Sequence, residues 1–134
     1  MPTQIVVAGA IICGSTVLVA QRVRPPELAG RWELPGGKVA EGETEQAALA
    51  RELAEELGLQ VDQMTVGARL GGDVALNDKM TLRAYRVDLL RGEPHPHDHR
   101  ALRWVTAAEL GDVDWVPADR AWLSDLSEAL EASG

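Results

Sequence analysis

The sequence predicts an α+β layered domain. Three observations carry this: short runs of β-branched residues at strand length, one strongly capped amphipathic helix near the middle, and a second, leucine-striped helix at the end. The 134 residues, 46% of them apolar, suit a single domain spanning 1–134 with one core. A net charge of −8 argues against a nucleic-acid polymer or a membrane surface as partner. It leaves a small nucleotide open as a ligand, because a metal ion can offset local negative charge. The lone Cys13 excludes an internal disulfide and fits a reducing cytoplasm. The apolar run at 5–13 is too short to span a bilayer and no basic segment precedes it, so it reads as a buried strand. Nothing in the chain calls for an oligomer, and a monomer is the expectation.

Taken in order, Ile5–Ile12 is rich in Val and Ile and reads as a strand; Gly14-Ser15 turns it into a returning strand over Thr16–Arg22. Arg24-Pro25-Pro26-Glu27 is a loop by its prolines. Trp32-Glu33-Leu34 is a short extended piece that leads through Pro35 into a Gly36-Gly37 turn. Thr44–Leu57 is the central helix: good helix formers throughout, Thr44 as N-cap, and Gly58 where a left-handed C-terminal residue is wanted. Its Ala50, Leu53 and Leu57 recur at helical spacing and should face a core. Val61–Leu70 and Met80–Leu90 read as two strands joined by a polar turn at Asn77-Asp78. Arg91–Arg100 is a Pro/His/Asp loop and Ala101–Val105 a short strand. Thr106 to Glu109 has the form of a capping box. Pro117–Ala132 is the last helix, with Leu123, Leu126 and Leu130 on one stripe.

The chemistry concentrates between Gly36 and Leu59. Glu52, Glu55 and Glu56 lie at i, i+3 and i+4 and so share one helix face, where like charges repel unless a cation sits among them. Mg²⁺ suits such a site, since it takes hard oxygen ligands and is usually shared with phosphates. The Gly36-Gly37 turn would bring backbone groups to the same ion. An acidic helix face alone is commonly just the wet side of a helix. Here a glycine, Glu43, Arg51 and Gly58 also stand at fixed offsets, and such a set arises by chance on the order of 10⁻⁸ per start position from ordinary residue usage. Glu52, with Glu56 as the other candidate, can take the proton of an attacking water. Glu43 and Arg51 fit an ion pair that supports the site, and Lys38 and Arg22 are candidates for phosphate oxygens.

With Gly37, Glu43, Arg51-Glu52-Leu53, Glu55-Glu56, Gly58 and Leu59 in place, the chain resembles the Nudix hydrolases. The likeness to the MutT type runs on through Trp32–Lys38, Gly92-Glu93-Pro94, Trp104 and Pro117-Ala118-Asp119. The resemblance implies an α/β/α Nudix sandwich around a mixed sheet. It also implies hydrolysis of a (d)NTP to (d)NMP and diphosphate by attack at the β-phosphorus, with Mg²⁺ or Mn²⁺ as cofactor. It carries the metal ligands onto the carbonyl of Gly36 and onto Glu52, Glu55, Glu56 and Asp98, the last one methylene shorter than the family's usual Glu. Gly37, Glu43, Arg51 and Gly58 take its supporting roles. Asp119 stands where MutT has an Asn. An ionised Asp only accepts hydrogen bonds, which suits the amino group of cytosine, whereas a protonated Asp could still read 8-oxoguanine. Leu34, Trp32 and Tyr85 are candidate walls of the base pocket. His95, His97 and His99 are expected to be a solvated run more than a transition-metal site. The alternatives are a Nudix hydrolase of another nucleoside diphosphate derivative, or a module that binds nucleotide without turnover. All the carboxylates of the box are present, which speaks against the latter.

Overall fold

Alternation along the first strand decides which helix covers which face of the sheet. In the computed structural model, which describes residues 3–133, β1 (Gln4–Cys13) sends Val7 and Ile11 to one core and Ala8, Ala10 and Ile12 to the other. A strand buried on both faces loses the polar–apolar alternation, which is why 5–12 reads as one apolar run. β1 lies parallel to β6 (Met80–Leu89) and antiparallel to β4 (Gly36–Lys38), and its last residues pair with β2 (Thr16–Gln21). β2 also carries β3 (Trp32–Glu33) and β7 (Ala101–Thr106), and β6 pairs with the edge strand β5 (Met64–Asn77). The result is a mixed seven-stranded sheet of order β3-β2-β1-β6-β5, with β4 beside β1 and β7 beside β2.

The central helix, α1 (Glu45–Leu57), is closed at both ends as its sequence demands. Thr44 Oγ1 accepts from the Ala47 amide at 3.1 Å, and Gly58 takes φ 66° with its N–H on the Ala54 carbonyl. Leu49, Leu53 and Leu57 pack on Val7, Ile11 and Leu18, each leucine fully buried and worth about 2 kcal/mol of transfer free energy. On the opposite face α2 (Leu123–Ser133) lays Leu126 and Leu130 against Val17, Val19, Trp115 and Trp122. Helix, sheet and helix thus form the α/β/α sandwich. Among the described residues no helix is long and apolar enough to cross a membrane.

Three elements differ from the sequence expectation. Gly36-Gly37 is not a turn but part of β4, and neither glycine has a positive φ. Close approach is what requires them: a Cβ on Gly36 would stand 1.9 Å from the Val7 carbonyl oxygen. The strand expected over 61–70 opens as a 3-10 turn at Val61–Gln63 and then runs on to Asn77. Its register shifts three times against β6, bulges that suit an exposed edge strand. The helix expected over 117–132 begins as a 3-10 turn, Pro117–Trp122. That tighter turn buries Asp119 and Trp122 together, and the Trp122 indole N–H reaches the Gly72 carbonyl at 3.1 Å.

Candidate active site

β4 and α1 meet where the acidic residues lie. A Cβ on Gly37 would stand 2.4 Å from the Glu52 carboxylate, so the missing side chain is what lets Glu52 lie against the strand backbone. Arg51 ties the region together. Its Nε and Nη2 donate to the two oxygens of Glu43 at 2.7 and 2.8 Å, and its Nη1 donates to Glu52 Oε1 at 2.9 Å. Glu43 Oε1 also accepts the Ala40 amide at 2.9 Å. Arg51, followed by the Ala40 N–H, holds the Glu43 carboxyl down at about 2, and the two carboxylates push Arg51 further up. The pair is bidentate and sits behind the helix face, where it braces loop against helix.

Glu56 lies deeper. It is 9% exposed, and its Oε2 is buried without a hydrogen-bond partner. Burial pushes its pKa up to about 8, helped by the charges of Glu52, Glu33 and Asp98 and opposed by Arg22. The late loop fixes its backbone: the His97 amide donates to the Glu56 carbonyl at 3.0 Å and the His95 amide to that of Leu57 at 2.8 Å. His97 packs over Gly58, where a Cβ would meet its Nε2 at 2.6 Å. His99 is not solvated, as the sequence suggested. It is buried, with Nε2 at 2.8 Å from Glu33 Oε2 and 3.9 Å from Glu56 Oε1. Glu33 in turn accepts from Arg22 Nη1 at 2.7 Å.

These groups form one end of a cleft of about 900 Å³. Gly36, Gly37, Lys38, Glu52, Glu56, Arg22 and Asp98 line its acidic end, with Asp98 paired to Arg24 at 2.8 Å near the mouth. Leu34, Leu76, Met80, Leu82, Val116 and Asp119 line the apolar end. Asp119 is 3% exposed and its Oδ2 accepts the Leu34 amide at 2.8 Å. Burial pushes its pKa up to about 7, against the pull of the Leu34 N–H, with Glu33 raising it further and Arg22 lowering it.

Three residues expected at the site do not line this cleft. Glu55 is 61% exposed, 3.6 Å from Arg51, on the outer part of the helix face. Tyr85 faces the other side of the sheet, because successive strand residues alternate and Leu82 and Ala84 take the opposite face. There its hydroxyl donates to Glu45 at 2.6 Å. Trp32 likewise packs into the α2-side core and is no cleft wall. Sequence reasoning missed Glu33 and His99. Glu33 was only part of an extended piece and His99 one of three alternating histidines; their one signal is that both stand beside residues already singled out, Leu34 and Asp98.

Among the described residues no three His, Cys, Asp or Glu side chains converge into a preassembled metal cage, so a cation would have to draw the carboxylates together. The residues nevertheless fit one. Glu56 carries a buried oxygen with no donor and three acidic neighbours, an arrangement that a hard cation satisfies and that oxygen ligands favour.

A capped helix bearing these carboxylates, packed on a glycine strand at the edge of a cleft, is what the NUDIX domain family model matches over residues 3–126, and the chain belongs to that family. It is a Nudix hydrolase, an enzyme that cleaves phosphoanhydride bonds. It is 74% identical over 133 residues to the Mycobacterium tuberculosis protein named "Putative 8-oxo-dGTP diphosphatase 2", covering 99% of this chain and 94% of that one. It is 36% identical to the CTP pyrophosphohydrolase of Escherichia coli, over 85% of this chain and 84% of that one. The solution structure of the E. coli ORF135 protein superposes with a TM-score of 0.78 at 32% identity, covering 98% of this chain and 93% of that one.

Proposed function

We propose that the protein is a metal-dependent nucleoside triphosphate pyrophosphohydrolase that converts (d)NTP and water to (d)NMP and diphosphate. Its proposed substrates are the cytosine nucleotides (CTP, dCTP, 5-methyl-dCTP) and 8-oxo-dGTP, which makes it an enzyme of nucleotide-pool sanitation. The observation that carries this is the polarity of the cleft: an acidic end around Glu52 and Glu56 and an apolar end closed by one buried carboxyl, Asp119. A triphosphate and a base need those two environments side by side. The names of the two curated relatives point to the same two kinds of base.

In this reading the Gly36 carbonyl, Glu52, Glu56 and Asp98, with Glu55 joining from the outer face, would hold Mg²⁺, or Mn²⁺ in its place. When bound, the ion neutralises phosphate charge and favours attack by water. Glu52 takes the proton from that water. Lys38 and Arg22 bind phosphate oxygens, and Leu34 walls the base. Asp119 keeps Oδ2 on the Leu34 amide and offers its other oxygen to the base edge. Ionised, that oxygen accepts from the cytosine amino group; protonated, it donates to an oxygen of 8-oxoguanine. A pKa of about 7 populates both forms at neutral pH.

The test is kcat/KM for CTP, dCTP, 5-methyl-dCTP, dGTP and 8-oxo-dGTP with Mg²⁺, measured from pH 6 to 8.5. The expected result is turnover of both classes, with the ratio of dCTP to 8-oxo-dGTP rising as pH passes through about 7. Absence of turnover on all five refutes the function. A ratio flat in pH refutes the role given to Asp119.

A further inference from the structure

We propose that His99 is a positioning residue: held by Glu33, its buried ring stands against Glu56 and sets the direction in which that carboxylate points at the metal. The inference rests on the metal-dependent reading above and goes further by assigning a residue that the sequence motif does not contain. Its Nε2 hydrogen-bonds Glu33 Oε2 at 2.8 Å and stands 3.9 Å from Glu56 Oε1, a close approach but too long for a second hydrogen bond. The ring is 4% exposed and cannot swing out to water. Glu33 is itself held by Arg22 at 2.7 Å, which makes a continuous line from the cleft wall to Glu56. The same loop grips the helix end through the His95 and His97 amides on the Leu57 and Glu56 carbonyls. Glu56 is therefore fixed at its backbone by one end of the loop and flanked at its side chain by the ring of His99. Remove the ring, and the buried Glu56 and half-buried Glu33 carboxylates face each other across an empty space; each then turns away from the other, and Glu56 loses its aim. An outer group that orients a metal-binding carboxylate typically changes metal affinity about 10- to 100-fold.

Mn²⁺ binding to the nucleotide-free full chain, followed by the EPR signal of the free ion, reads this without turnover. His99→Ala and His99→Asn are expected to weaken binding about tenfold or more, while the KM for dCTP at saturating metal moves less than about twofold. His99→Gln, whose amide nitrogen can stand near the place of Nε2, is expected within about threefold of wild type. His99→Asn, polar yet too short to reach either carboxylate, carries the test if the alanine variant does not fold. Wild-type Mn²⁺ affinity in His99→Ala or His99→Asn overturns the proposal, and so does a His99→Gln variant as weak as the alanine one. A wild-type chain that binds no Mn²⁺ overturns the metal reading itself, which separates the two failures.

Discussion

Replacing Asp119 by Asn should make the protein more stable, by an amount that grows with pH. Asp119 has a folded pKa of about 7 against an ordinary 3.8, because burial outweighs the Leu34 N–H. Below about pH 3 the carboxyl is protonated in both states and contributes nothing to the pH dependence. From about pH 3 to 7 the unfolded chain ionises while the folded one holds its proton, so stability falls as pH rises. Above pH 7 both states are ionised and the full cost remains. At 1.36 kcal/mol per pKa unit the cost is about 4 kcal/mol. Asn keeps the acceptor that the Leu34 amide needs at 2.8 Å and never ionises, so the cost disappears. Urea denaturation of wild type and Asp119→Asn in EDTA, from pH 4.5 to 8.5, reads the difference directly, and other titrating groups largely cancel between the two proteins. The variant's advantage should rise by about 3 kcal/mol across that range, the first ~1 kcal/mol having accrued below pH 4.5. An advantage that stays constant with pH to within about 0.5 kcal/mol would show that Asp119 ionises freely in the fold, and the argument from burial would be wrong.

Glu52→Gln and Glu56→Gln should each abolish measurable turnover while leaving the far-UV circular dichroism unchanged. Because burial holds Glu56 up at about 8, Glu56→Gln should also unfold at a higher temperature than wild type in EDTA at pH 9, and Mg²⁺ should raise the Tm of the wild type only. Gly37→Ala places a Cβ 2.4 Å from the Glu52 carboxylate, so kcat should fall about 100-fold with little loss of Tm. Gly36→Ala forces the Val7 carbonyl away from β4 and should instead cost about 3 kcal/mol of stability by urea titration. Glu43→Gln weakens the bidentate grip on Arg51 and should lower kcat/KM about tenfold, with no change in the ratio between dCTP and 8-oxo-dGTP.

The central helix was legible because its signals are local. Thr44, the leucine spacing and Gly58 each act within a few residues, and the structure uses every one of them. The sheet was legible in its strands but not in all its bounds. Whether 61–63 is strand or 3-10 turn, and how far β5 runs past Leu70, is decided by pairing with β6, which a single stretch of sequence does not contain. Gly36-Gly37 shows the same limit. A glycine pair announces that something is tight, but a turn and a close strand crossing leave the same mark. Tyr85 was misplaced for want of one bit of information, the face on which β6 points its odd-numbered residues. Glu33 and His99 stand 66 positions apart, and only the pairing of β3 and β7 on either side of β2 makes them neighbours.

Burial raises two carboxyls in this cleft, and their surroundings give them different remedies. Glu56 has Glu52, Glu33 and Asp98 around it and no donor on its buried oxygen, so at neutral pH it holds a proton unless a cation takes its place. Asp119 has one amide N–H and mostly apolar neighbours, so it can be satisfied by a proton or by a single donor from a base. Glu33 raises both groups and Arg22 lowers both, which makes their 2.7 Å pair the electrostatic link between the two ends. Each end is therefore left incomplete by the protein alone. A nucleotide that brings its base to one end and its metal-bound phosphates to the other supplies both missing partners at once, and the cost of burying the two carboxyls becomes a preference for a ligand that carries both.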